Sequence, residues 1–189
     1  GFITVFPCDR ERPVVSNVNF DPSNPTMANL ATSRVSSSGQ VCFFASVATD
    51  LVVDIQGYFS PNPAVVFTGL TPVRVLDTRD GTGVVGSRPA RLGRGSVIAI
   101  DVAGQEGVPA DAKAVMLNVT ITEAAGRGYV TAWPCGQPRP VASFLNFVRG
   151  VDQANLTPVR IGDDGTVCLF VNEGTEVVAD LNGYYTLAA

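Results

Sequence analysis

Apolar and polar positions alternate along the chain in short runs, and clusters of Gly, Pro, Asn, Asp and Ser separate one run from the next. This two-residue period is the signature of half-buried strands. Runs at 2–6, 40–46, 50–59, 72–77, 95–102 and 113–122 are rich in Val, Ile, Phe, Tyr and Thr, the residues that fit a pleated surface. No helical period persists through any stretch long enough to count as a helix. The expected fold class is all-β, built of antiparallel β-sandwich or β-prism-like units with no substantial helix. Residues 114–122 and 129–133 are expected to pair as a hairpin through Glu123 to Gly128, a connection that ends in a Gly-Arg-Gly turn.

A longer pattern lies over the strands. Residues 1–60 read GFITVFPCDRERPVVSNVNF and then ANLATSRVSSSGQVCFFASVATDLVVDIQGYFS. Residues 128–186 read GYVTAWPCGQPRPVASFLNF and then ANLTPVRIGDDGTVCLFVNEGTEVVADLNGYYT. The two align with one single-residue gap at about 40% identity, which marks an internal repeat. Shared landmarks are Cys8/Cys135, Arg12/Arg139, Asn19/Asn146, Asn29/Asn155, Cys42/Cys168, Asp54/Asp180 and Gly57-Tyr58/Gly183-Tyr184. A different segment, 62–127, lies between the copies and contains LTPVRVLDTRDGTG. The expected repeat therefore runs for about 125 residues, from near Phe67 to Tyr185. On that frame 1–61 is a partial repeat, the C-terminal half of a preceding unit, so the chain starts inside a domain. Residues 62–189 are then one full repeat. The alternative is a pseudo-symmetric fold in which both copies share the middle segment.

Four cysteines fall as one pair per copy. Matching positions in a small β unit favour Cys8–Cys42 and Cys135–Cys168 among the three connectivities. Each bridge closes a loop that stabilises the fold by about 3–4 kcal/mol on the chain-entropy account. Disulfides persist in oxidising compartments, so the pairing points outside the cytosol. Zinc is the competing use of cysteine, and the wide spacing and lack of histidine speak against it.

The ordered set GYVTAWPCG, FLNF, ANL, VCLF and VVADLNGYY, preceded by LTPVRVLDTRDGTG, resembles a repeat of secreted and surface proteins of actinobacteria, often found in tandem. The resemblance covers essentially the whole chain and implies an exported cell-surface protein. It carries no catalytic residues over. The first copy departs from it at CDRERP, where a more charged turn replaces CGQPRP.

Charge and composition narrow the chemistry. A net charge of −4, a single lysine (Lys113) and scattered arginines form no basic stripe for phosphates, so nucleic acid is not an expected partner. No apolar run reaches the roughly 20 residues of a membrane span, so no membrane insertion is expected. Histidine is absent, which removes the commonest general base near neutral pH. No cofactor is expected, and an enzyme is the least favoured class.

Several side chains remain as candidates. Asp77 and Asp80, in the glycine-rich run DTRDGTG, have the oxygen ligands of a weak calcium loop, although the closing glutamate is missing. A structural turn with Asp77 capping amides and Arg79 pairing a carboxylate is the favoured reading. Arg12, Asp54, Arg139 and Asp180 recur at equivalent positions and are expected to form a structural polar network of Arg–Asp pairs. A glycosidase-like carboxylate pair is the rival reading, weakened because only one carboxylate recurs. Trp133, Tyr184 and Tyr185, with Tyr58 and Phe6, are candidate glycan contacts, since flat aromatic faces suit sugar rings. The alternating strand rule places Tyr184 and Tyr185 on opposite faces.

The function expected from these readings is a non-catalytic extracellular structural or interaction module of a tandem-repeat surface protein. Its partners are other copies or repeats, and β-edge packing could assemble it into a stalk, sheath or filament. The alternative is a carbohydrate-binding or adhesion module acting on cell-wall or environmental glycans.

Overall fold

The computed structural model describes residues 1–24 and 26–188, and among them there is no helix. The strands in chain order are β1 (Phe2–Pro7), β2 (Val18–Asn19), β3 (Val41–Ala45), β4 (Val65–Asp77), β5 (Val97–Asp101), β6 (Ala114–Thr122), β7 (Gly128–Pro134), β8 (Leu145–Phe147), β9 (Gln153–Arg160), β10 (Thr166–Val171) and β11 (Glu176–Leu187). They fall into two compact units, Gly1–Asp54 and a second that begins at Ile55.

The second unit holds two four-stranded antiparallel sheets, β4-β11-β6-β9 and β5-β10-β7-β8. Alternation in the sequence decides which side chains meet between them. On β6 the residues Val115, Leu117, Val119 and Ile121 are all fully buried, and Leu76 and Leu181 join them from β4 and β11. The facing sheet contributes Ile100, Leu145, Phe147, Val167 and Leu169 to the same core. The arrangement is sandwich-like, with one apolar face from each sheet.

Two expectations about pairing are corrected here. Residues 114–122 and 129–133 do not form a hairpin: β6 pairs with β11 and β9, while β7 pairs with β10 and β8. The turn between them carries the chain from one sheet to the other. It holds Glu123 at φ 52°, and the Ala125 amide donates to the Gly174 carbonyl at 2.8 Å. That bond ties the turn to the β10–β11 connection, which makes the same crossing. The middle segment, as β4, β5 and β6, pairs with strands of residues 128–187.

The first unit is a three-stranded antiparallel sheet, β2-β1-β3, which matches β8-β7-β10 strand for strand. Local detail repeats as well. The bridges are Cys8–Cys42 and Cys135–Cys168, with Cα separations of 5.0 and 5.1 Å. The Thr4 hydroxyl donates to the Val15 carbonyl at 2.6 Å, as Thr131 does to Ala142 at 2.6 Å. Asn29 donates from Nδ2 to the Asn17 carbonyl, and Asn155 does so to Phe144. The landmark asparagines thus clip the ANL segment to the end of the preceding turn.

The match then stops, which is the second correction. The run 50–59 is not a strand, although its counterpart lies within β11, and 27–34 is not a strand although its counterpart is β9. Residues 1–60 contain no equivalents of β4 and β6, the two strands that flank β11. Without such flanking strands residues 50–59 enter no backbone ladder, and the side chain of Gln56 accepts from the Thr157 hydroxyl of β9 at 3.1 Å.

Candidate interaction site: the unpaired strand segment

The second unit shows what the repeated strand does when it is complete. β11 lies between β4 and β6, and Asp180 stands opposite Arg74 on one side and Asn118 on the other. Arg74 donates from Nε to Asp180 Oδ1 at 2.6 Å and from Nη1 to Asp77 Oδ2 at 2.9 Å. Asp77 is buried and also accepts from the Arg79 amide, Nε and Nη2. Arg79 holds the Asp77 carboxyl down at a pKa of about 2, and the same ion pair raises the pKa of Arg79. Next to it Thr78 donates to Glu176 and accepts from the Val177 amide at 2.8 Å. The LDTR run, which spans the end of β4 and the turn after it, is thereby a clamp on the start of β11.

This clamp settles the place of Asp77 and Asp80. Asp77 is saturated by two arginines, and Asp80 Oδ1 accepts from the Thr82 amide at 2.8 Å. Two guanidinium groups on one carboxylate oppose a cation, so the calcium reading gives way to the structural turn. Among the described residues no cluster of acidic and cysteine side chains has the makings of a metal site.

The expected Arg–Asp pairing is corrected. Arg139 lies over the Phe170 ring at 3.6 Å, and Arg12 lies over Phe44 at 3.7 Å. Asp180 belongs to the other sheet and takes Arg74 instead. The recurring arginines pack on rings of β3 and β10, Asp180 pairs with Arg74, and Asp54 lies outside any strand, so Arg12, Asp54, Arg139 and Asp180 are not one network. Arg74 is the residue that reading the repeat alone misses, because its half of the repeat occurs once. Its placement in LTPVRVLD, three residues before Asp77, was the available signal.

The aromatic candidates also separate. Trp133 is buried, and its Nε1 donates to the Gln137 carbonyl at 3.0 Å, so its ring offers no face to a sugar. Tyr184 packs on the core. Tyr185 points the other way and meets Phe67 with ring centroids 5.0 Å apart, and burial raises its hydroxyl pKa. These three therefore do not share a platform.

Against that reference the first copy is open. Val52 and Ile55 are 86% and 90% exposed, whereas their counterparts Val178 and Leu181 are 4% and 0% exposed. Tyr58 and Phe59 are exposed where Tyr184 and Tyr185 are packed. Phe43, on β3, is 40% exposed, while the equivalent Leu169 is fully buried. Among the described residues Asp54 has no ion pair. Residues 51–59 thus present a contiguous apolar run of strand-forming side chains to solvent.

The two disulfides are those of a chain matured in an oxidising compartment. No family model matches the chain, and no curated protein matches it in sequence.

Proposed function

We propose that this chain is a non-catalytic structural module of an extracellular, repeat-built surface protein, and that it joins other polypeptide by β-strand pairing. One observation carries the reading: residues 51–59 are exposed, although the same positions of the second copy form the central strand of a sheet. Strand addition supplies backbone hydrogen bonds for affinity and alternate side-chain positions for specificity. The paired disulfides, one at the end of the β1–β3 ladder and one at the end of the β7–β10 ladder, support an extracellular setting because such bridges persist in oxidising compartments.

Sedimentation velocity over a range of concentrations, with electron microscopy of the same samples, tests the module's capacity to associate. Association that rises with concentration and is lost in the double variant Val52→Lys, Ile55→Lys is the expected result. Monodisperse monomer at every concentration, with no assemblies on the grid, contradicts self-association.

A further inference from the structure

We infer that the occupant of the open segment is a second half repeat of the 62–127 type, whose β4-like and β6-like strands flank residues 50–59 and whose arginine pairs with Asp54. This deepens the strand-pairing reading above and rests on it. Three independent features identify the occupant.

The first is the register of burial. In the second unit the side chains at 177, 178, 179 and 181 are buried, in a strand that β4 and β6 of the middle segment flank on both sides. Leu51, Val52, Val53 and Ile55 carry the same apolar pattern and lie exposed. The pattern suits a strand with neighbours on both sides and sheet cover on its face, not a solvated linker.

The second is charge. Asp180 sits between apolar neighbours and is answered by Arg74 at 2.6 Å. Asp54 occupies the equivalent position between Val53 and Ile55. An aspartate placed centrally in a strand needs a cation or donors when that strand is covered. The β4 sequence TPVRVLD supplies an arginine in the matching register.

The third is a glycine. At Gly183 a Cβ would stand 2.5 Å from the Thr68 carbonyl oxygen and 2.6 Å from the Phe67 ring, so β4 demands glycine there. At Gly57 a Cβ would meet nothing within 4 Å, and φ at this residue lies outside the left-handed region. Neither space nor backbone within this chain calls for glycine at 57. An arriving β4-like strand with its aromatic residue does.

The chain's own 65–122 strands are already committed to 128–187, so the occupant must be another instance of that half. A bare second copy of residues 50–59 would lack both the arginine and the aromatic residue.

The test is a chain in which a second copy of residues 62–127 is fused ahead of Gly1, compared with a fusion of the same segment in scrambled order. Amide exchange at 51–59 is expected to slow by at least about 100-fold in the first fusion and not in the second. Replacing the added arginine equivalent to Arg74 with Glu should abolish the protection, and Asp54→Arg in that background should restore it. Unchanged exchange at 51–59 in the ordered fusion overturns the inference. If the fusion aggregates, a synthetic peptide of residues 65–78 added to the unmodified chain replaces it, with the same readout and an Arg-to-Glu control. Lack of protection there likewise overturns the inference. Self-association of the unmodified chain without protection by the half repeat leaves strand pairing standing and refutes this occupant. Protection by the half repeat in a chain that stays monomeric by itself supports the occupant and refutes self-assembly.

Discussion

Arg74 Nε stands 2.6 Å from Asp180 Oδ1 across β4 and β11, while Asp54, the same position of the repeat, has no ion pair among the described residues. One aspartate is structural and the other is idle in this chain. Asp180→Ala should therefore cost about 1–2 kcal/mol, the range of a partly exposed charge-assisted pair, and Asp54→Ala less than about 0.5 kcal/mol. Denaturant melts followed by the single tryptophan, Trp133 of the second unit, measure the first value. Calorimetry of the whole chain measures the second.

Acid should weaken the same clamp. The folded-state pKa of Asp77 is lowered to about 2 by Arg79 and then Arg74, against an ordinary value near 3.8. A lowered carboxylate pKa gives stability that is complete above about pH 4 and is lost as pH falls towards 2. The loss is on the order of 2 kcal/mol. Trp133 melts across pH 5 to pH 2 should show it, and Asp77→Asn, already weaker at neutral pH, should show a smaller acid loss.

Both bridges should be present in the native protein. Mass measurement before and after reduction is expected to show the gain of four hydrogens, and four free thiols in unreduced protein would contradict the pairing. Removing Cys135–Cys168, which closes 33 residues of sequence separation, should cost about 3–4 kcal/mol on the loop-entropy account.

The two repeat glycines should respond differently. Gly183→Ala places a methyl against the Thr68 carbonyl and the Phe67 ring, and β4 must shift; a loss of about 1–3 kcal/mol is expected. Gly57→Ala meets open space and should leave the melting temperature of the unmodified chain within about 1 °C. In the ordered fusion the same Gly57→Ala should reduce amide protection at 51–59.

Much of this architecture was legible in the sequence. Two-residue alternation marks β1, β3, β5 and β6, and the internal repeat pairs the cysteines as the structure does. The connection 123–127 is ambiguous in sequence because a turn motif between two strands looks the same whether they share a sheet or face each other across a core. The partner of Asp180 was hidden for a related reason: Arg74 is more than 100 residues away in sequence, at a separation of 106, and nothing local announces the contact. The run 50–59 has the side-chain preference of a strand, and that preference is real. What it lacks is neighbours, and propensity cannot report whether neighbours are present.

Amide hydrogen exchange of the unmodified chain at low concentration tests the central claim most directly, since it compares the two copies of one strand within a single molecule. Residues 177–185 should exchange slowly and residues 51–59 close to the rate of an unstructured peptide, a difference of at least about 1,000-fold. Equal protection of the two segments would contradict an open, recruiting strand.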